Sequence, residues 1–349
     1  MTPLTEERIL GALRNVREPE LHKDLVTLNM IRDLQIKNDG AVAFTIVFTT
    51  PACPLTAQIE QNCKDVLAQI GVKQIDIDWK SEVPADQRIT DQLPVAFHNT
   101  IAISSGKGGV GKSTVAANLA VALAKMGAGV GLLDADIYGP NIPLMMGVDK
   151  LPRVPGDKIT PALAYGVRLM SMAFVVDPDQ PVIWRGPMIH SAIRQFLTDV
   201  DWGQLDYLVI DLPPGTGDAQ LTLAQSVPLT GAVIVTTPQE VALADALKGL
   251  RMFEKLEVPI LGIVENMGPY TDPKTGQKIV FFGEGGGKRM ADRLKVPYLG
   301  SVPLDPSVRE SGDAGRPIVA NKPDTSAAQA LNQIARQVAA RISVINLEE

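Results

Sequence analysis

The chain has 349 residues, 45% hydrophobic, 21% charged and 5% aromatic, with 33 Lys plus Arg against 39 Asp plus Glu and a net charge of −6. That length is enough for two domains, and the acidic balance disfavours nucleic acid as a partner, because neutralising phosphates needs a basic surface. No run of about 18 apolar residues is present to span a bilayer, the stretch Met1-Thr-Pro-Leu-Thr-Glu-Glu7 lacks the features of a signal peptide, and two cysteines, Cys53 and Cys63, exclude a disulfide framework. The chain is therefore expected to be cytoplasmic, with no membrane partner.

In chain order, Glu6 to Val16 reads as an amphipathic helix with Ile9, Leu10, Leu13 and Val16 on one face. Ile31 to Ile36 and Ala41 to Phe48 read as strands about the Asn38-Asp39-Gly40 hairpin signal. A helix from Leu55 to Ile70 follows Cys53-Pro54, and Gln74 to Trp79 alternates like a closing strand. The polar stretch from Lys80 to Gln92, ending at Leu93-Pro94, reads as a linker. Beyond it apolar strands alternate with helices: Ile101 to Ser104, Val130 to Leu133, Tyr207 to Ile210, Ala232 to Thr236, Ile260 to Val264 and Tyr298 to Val302. Such alternation predicts a mostly parallel sheet flanked by helices. The fold class is α/β, with a small α+β domain over 1–85, a linker over 86–94 and a larger domain built on the parallel sheet over 95–349. A closing helix from Ser326 to Val344 carries Leu331, Ile334, Val338 and Ile342 on one stripe; with only Arg336 and Arg341 basic, that stripe is expected to pack on the sheet rather than on a membrane.

The chemistry concentrates in Gly106-Lys-Gly-Gly-Val-Gly-Lys-Ser-Thr114, which fits the phosphate-binding pattern G-x-x-x-x-G-K-[ST] between a strand and a helix. Gly106, Gly108, Gly109, Val110, Gly111 and Thr114 would present backbone amides to the phosphates of ATP. Lys112 would reach the β- and γ-phosphates, and the Ser113 hydroxyl would coordinate Mg²⁺. Acids fall at the ends of the next strands: Asp134 and Asp136 after Leu132-Leu133, and Asp211 in Asp211-Leu-Pro-Pro-Gly-Thr-Gly-Asp218. Parallel sheets bind ligands at their carboxyl ends, so Asp211 reads as the acid that holds Mg²⁺. The two remaining aspartates read either as site residues or as helix caps and strand-end solvation.

Lys107 stands directly after the first glycine, at a position the general pattern leaves free. Lys107-Gly-Gly-Val-Gly-Lys-Ser-Thr114 resembles the deviant phosphate loop of the MinD/ParA/Mrp ATPases. The resemblance implies that Lys107 reaches a partner subunit's nucleotide and makes the protein a homodimer. It also implies that Asp136 orients the attacking water and that Asp134 supports the Mg²⁺ shell. Asn266, at the end of the strand Ile260 to Val264, would hold adenine; its other reading is an Asn satisfying local backbone.

Three longer strings are similar to the Mrp/ApbC family of iron–sulfur cluster carrier ATPases: Trp184-Arg-Gly-Pro-Met188, Asp134-Ala-Asp-Ile-Tyr-Gly-Pro-Asn141 and Leu205 to Asp218. The first domain resembles a small iron–sulfur-assembly domain through Pro19-Glu-Leu21, Asp24-Leu-Val-Thr-Leu28 and Thr49-Thr-Pro-Ala-Cys-Pro54. The resemblance implies an ATPase that passes clusters from a scaffold to apo iron–sulfur clients. The family's usual C-x-x-C pair is absent, because the segment after Asn266 reads Met-Gly-Pro-Tyr-Thr-Asp-Pro-Lys-Thr-Gly-Gln277. Cys53, at a strand-to-helix turn, is then the candidate cluster ligand, with burial as its other reading; Cys63, inside a helix, reads as a core residue. An assembly adaptor without its own cluster and a positioning ATPase of the MinD/ParA kind are the competing functions.

Overall fold

The computed structural model describes residues 4–18, 23–37, 40–51, 56–92, 97–154, 156–175 and 186–348. The chain divides into two compact units, Met1–Pro84 with Ala339–Glu349, and Ala85–Val338.

In the first unit, α1 (Glu6–Leu13) begins at Thr5, whose hydroxyl accepts the Arg8 amide at 3.3 Å. It joins β1 (Ile31–Ile36), β2 (Val42–Phe48), α2 (Thr56–Gln69) and β3 (Ile75–Ser81). The sheet order is β1-β2-β3, antiparallel in the first pair and parallel in the second. One core gathers Ile9 and Leu13 from α1, Val42, Phe44 and Ile46 from β2, and Ile59, Cys63 and Leu67 from α2. Cys63 is thus a core residue, and burial pushes its thiol up to about 12. The hairpin residues Asn38 and Asp39, the stretch Pro19-Glu-Leu21, and Cys53 lie outside the described residues.

The stretch expected as a linker contains α3 (Gln87–Gln92). Asp86 is buried at its start, accepting the Arg88 amide at 3.0 Å and pairing with the Arg88 guanidinium at 2.9 Å. Ile89 is that helix's single buried apolar side chain among the described ones, so no periodicity announced it.

The second unit continues with β4 (Phe97–Ser105), α4 (Lys112–Lys125), β5 (Val130–Asp134), α5 (Ile142–Met145), β6 (Ala162–Ala164) and β7 (Val167–Ser171). Next come α6 (Gly186–Thr198), β8 (Leu205–Asp211), α7 (Asp218–Ser226), β9 (Gly231–Thr236), α8 (Glu240–Lys255) and β10 (Ile260–Gly268). The unit closes with β11 (Tyr270–Thr271), β12 (Lys278–Ile279), α9 (Gly286–Leu294), β13 (Tyr298–Pro303), α10 (Pro306–Asp313), α11 (Ile318–Asn321) and the start of α12 (Ser326–Glu348). Among the described residues the large sheet runs β13-β10-β9-β4-β8-β5-β7-β6, parallel except at β6–β7. Ile103 pairs with Asp211, and Asp211 with Asp134, so β8 and β5 end level with one another while β4 runs on to Ser105. Strand order reverses around β4, since β5 and β8 lie to one side and β9 and β10 to the other. A crevice at such a point is where open α/β sheets bind ligands.

Along α12, Leu331, Ile334, Val338 and Ile342 are all buried. Residues before 339 belong to the second unit, where Ile334 lies over Gly300 of β13. From Ala339 the helix belongs to the first unit, and the Ser343 hydroxyl donates to the Thr49 carbonyl at 3.1 Å.

Candidate active site

β4 delivers the chain into the loop 106–111, and α4 leaves it. Gly109 and Gly111 have φ of 79° and 82°, a region L side chains rarely adopt. A Cβ on Gly111 would lie 2.1 Å from Asn266 Nδ2, and one on Gly106 would lie 2.1 Å from the Asp245 carbonyl carbon of α8. The glycines are therefore required by conformation and by close approach. Gly111 gives α4 no side-chain cap, which leaves the amides of the first turn for an anion. The Ser105 hydroxyl donates to the Lys107 carbonyl at 3.0 Å and so braces the loop.

Charges meet beneath the loop. Lys112 Nζ lies 2.7 Å from Asp211 Oδ1 and 3.9 Å from Asp136 Oδ2. Ser113 Oγ donates to Asp211 Oδ2 at 2.5 Å. Burial raises the pKa of Asp211, against the Lys112 ammonium and the Ser113 hydroxyl, which favour its charged form. Asp134 is pushed up to about 7 by burial and then by the Asp211 charge. Its Oδ2 accepts from the Ser171 hydroxyl at 2.9 Å and the Ile142 amide at 3.2 Å, and its Oδ1 from the Asp136 amide at 3.2 Å. Asp136 Oδ1 accepts the amides of Tyr138 and Gly139 at 3.2 and 3.3 Å, while Oδ2 faces Lys112. Asp134 is thus held by protein donors on both oxygens, whereas Asp211 and Ser113 converge as a pair of hard oxygen donors. Such a pair matches the ligand preference of Mg²⁺.

Two cavities adjoin the loop. One of about 250 Å³ is lined by Lys107, Gly108, Lys112, Ser113, Asp136 and Pro214. The other, of about 370 Å³, is bounded by Thr114, Leu144, Asn266, Met267, Leu304 and Val308. Gly111, Thr114, Asn141 and Met145 line both, so they form one cleft with a polar and an apolar end. Asn266 Nδ2 donates to the Val110 carbonyl at 2.8 Å, joining the end of β10 to the loop. One N–H and the amide oxygen of Asn266 remain to face the cleft.

The structure therefore brings Lys107, Lys112, Ser113, Asp136, Asp211 and Asn266 to one cleft, with Asp134 one layer behind. Trp184 and Arg185 lie outside the described residues. Sequence reasoning passed over Ser171, the α5 residues Leu144 and Met145, and α10. Only α10 carried a signal, since Asp305-Pro306 is a cap followed by proline at the first helical position, and Asp305 accepts the Ser307 amide at 2.8 Å. Where a cysteine pair was sought, the chain forms the β11–β12 hairpin, with the Tyr270 and Phe281 rings 6.4 Å apart.

Comparison with known proteins agrees with this geometry. The family model described as NUBPL iron-transfer P-loop NTPase matches residues 96–339, and one described as iron–sulfur cluster assembly protein matches residues 6–77. The chain is 52% identical to an iron–sulfur cluster carrier protein of Synechocystis sp., over 99% of both chains. A nucleotide-binding protein of Archaeoglobus fulgidus, solved in complex with ADP, is 42% identical with a TM-score of 0.58, covering 67% of this chain and 92% of that one. The cell division ATPase MinD of Pyrococcus furiosus is 28% identical with a TM-score of 0.52, covering 69% and 98%. With a matching loop, a matching sheet and a relative aligned end to end, this chain belongs to the NUBPL iron-transfer P-loop NTPases, a family of ATPases.

Proposed function

We propose that the protein binds ATP with Mg²⁺ in this cleft, hydrolyses it, and uses the cycle to carry iron–sulfur clusters to apo client proteins. The convergence of Lys112 and Ser113 on Asp211 is the observation that carries the nucleotide part. Asp211 pairs with the Lys112 ammonium at 2.7 Å, and a triphosphate, as a stronger anionic partner, would draw Lys112 toward its β- and γ-phosphates. Ser113 and Asp211 would then hold Mg²⁺, whose charge would offset that of the phosphate oxygens. The loop amides from Gly106 to Thr114 cradle the phosphates. Asp136, fixed by two backbone amides through one oxygen, presents the other to the attacking water. Asp134 acts from behind, orienting the Asp136 backbone rather than touching the nucleotide. Adenine occupies the apolar end, where the amide left open on Asn266 offers the acceptor and donor that an adenine edge requires.

Lys107 lines the polar end, and its reach toward a second subunit's nucleotide would make the active form a homodimer. The cluster is cargo. Buried Cys63, with its thiol pushed up to about 12, is a poor thiolate donor, so Cys53 is the candidate ligand, in company with a second subunit or a client. Such partial ligation suits transfer better than storage.

The test has two arms. Lys112→Ala should abolish ATP binding measured by calorimetry, while Asp136→Ala should keep binding and lose turnover; equal affinity in Lys112→Ala and the unaltered protein would overturn the site. Anaerobic reconstitution with iron and sulfide should give a substoichiometric cluster that Cys53→Ser removes. A cluster that fails to form while ATPase activity is intact would favour the adaptor reading.

A further inference from the structure

Behind the polar end of the cleft lies a buried contact that the nucleotide reading does not use. Gln220, on α7, is buried, and its Nε2 donates to the Ser104 hydroxyl on β4, also buried. Its Oε1 is buried with no hydrogen-bond partner among the described residues. A buried amide oxygen left without a partner costs about 1–3 kcal/mol relative to a satisfied one. Nothing in core packing requires that cost, because a methionine of similar length would fill the same space.

The position of the pair gives the reason. Ser104 lies two residues before the phosphate loop, and Gln220 lies on the first turn of α7, directly after the loop 212–217 that follows Asp211. The same loop is joined to β4 at two further points: the Leu212 amide donates to the Ile103 carbonyl at 3.1 Å, and the Gly215 amide to the Ser105 carbonyl at 3.0 Å. Pro214, between those points, lines the polar cavity together with Lys112 and Asp136. Gly215 has φ of 97°, and Gly217 gives α7 no side-chain cap. The Ser104–Gln220 contact adds a side-chain link between β4 and the first turn of α7.

We propose that Gln220 is a positioning residue for ATP hydrolysis: through Ser104 it holds the loop 212–217 as the far wall of the phosphate cavity. It touches no substrate. Its effect falls on turnover, because the wall it sets faces the phosphate end where water must attack, and small misplacement of such a wall is costly. The proposal rests on the assignment of hydrolysis to this cleft.

Gln220→Met and Ser104→Ala test it in the full-length protein. Each should lower kcat by about tenfold or more, leave ADP affinity within about threefold, and increase amide hydrogen exchange in the segment 212–217. The double variant should be no slower than either single one, because both remove the same link. A purely structural contact would instead lower the melting temperature and leave kcat per folded molecule unchanged, and that outcome overturns the proposal. Additive losses in the double variant also overturn it. Wild-type protein without turnover would remove the hydrolysis reading and this role together, whereas wild-type turnover with unaltered kcat in both single variants would remove this role alone.

Discussion

At the scale of single residues, the cleft depends on side chains that are missing as much as on those present. Gly111 turns the chain into α4 at φ of 82°, and the space its Cβ would fill belongs to the Asn266 amide at 2.1 Å. Gly111→Ala therefore meets two penalties: about 1–2 kcal/mol for a left-handed alanine, and displacement of Asn266 from the Val110 carbonyl. Nucleotide affinity should fall by about a hundredfold, the equivalent of about 3 kcal/mol, while the fold persists because the buried faces of β4 and α4 are unchanged. Calorimetric titration with ADP beside a thermal melt checks this, and an affinity equal to that of the unaltered protein would show that the loop tolerates another path. Glycine spacing made this loop visible in the sequence, since each glycine answers a local conformational need. The Asn266–Val110 contact spans 156 residues of chain; spacing could nominate Asn266 as a site residue but could not reveal that the loop holds it.

At the scale of elements, the apolar end of the cleft lies between α5 and α10, and two glycines set the distance between them. A Cβ on Gly147, just after α5, would lie 2.9 Å from the Gly315 carbonyl oxygen, and one on Gly315, just after α10, 2.6 Å from the Gly147 Cα. Both have positive φ, 65° and 68°, and the Tyr165 hydroxyl donates to the same Gly315 carbonyl at 2.8 Å. Gly315→Ala should push the two helices apart, weakening ADP binding by about tenfold and lowering stability by about 1–2 kcal/mol, with kcat at saturation unchanged because the polar end is untouched. Gly156→Ala, at a position with open space, should leave both quantities as they are and serves as the control. Unequal legibility of the elements has a physical basis. Strands with continuous apolar runs, such as β8 and β9, declare themselves because both faces are buried. The β6–β7 hairpin did not, because its turn places Tyr165 at φ of 51°, where asparagine or glycine is the usual signal. The small helices α3, α5 and α11 are shorter than the window that periodicity needs.

At the scale of the whole molecule, the first unit takes its last element from the far end of the chain. Residues 339–349 belong with residues 1–84, and Ile342 and Ser343 are buried, the latter bonded to the Thr49 carbonyl. Leu331, eleven residues earlier on the same helix, is equally buried but belongs to the second unit. Local sequence shows one stripe, Leu331, Ile334, Val338 and Ile342, and gives no sign that its two ends fall in different units, because amphipathicity records that a face is covered and not by what. Truncating either end to alanine should cost about 2–5 kcal/mol, and the cost should fall on different units. Ile342→Ala should speed proteolysis within residues 1–84 while ADP still binds with its usual affinity. Leu331→Ala should lower the melting temperature of the unit that holds the cleft, and added ADP should restore part of it, because a ligand that binds only the folded form raises its apparent stability. Limited proteolysis with mass mapping, with and without ADP, separates the two outcomes. If both variants opened the same segments to cleavage, the division of α12 between two units would be wrong, and the helix would stabilise the chain as a single cooperative body.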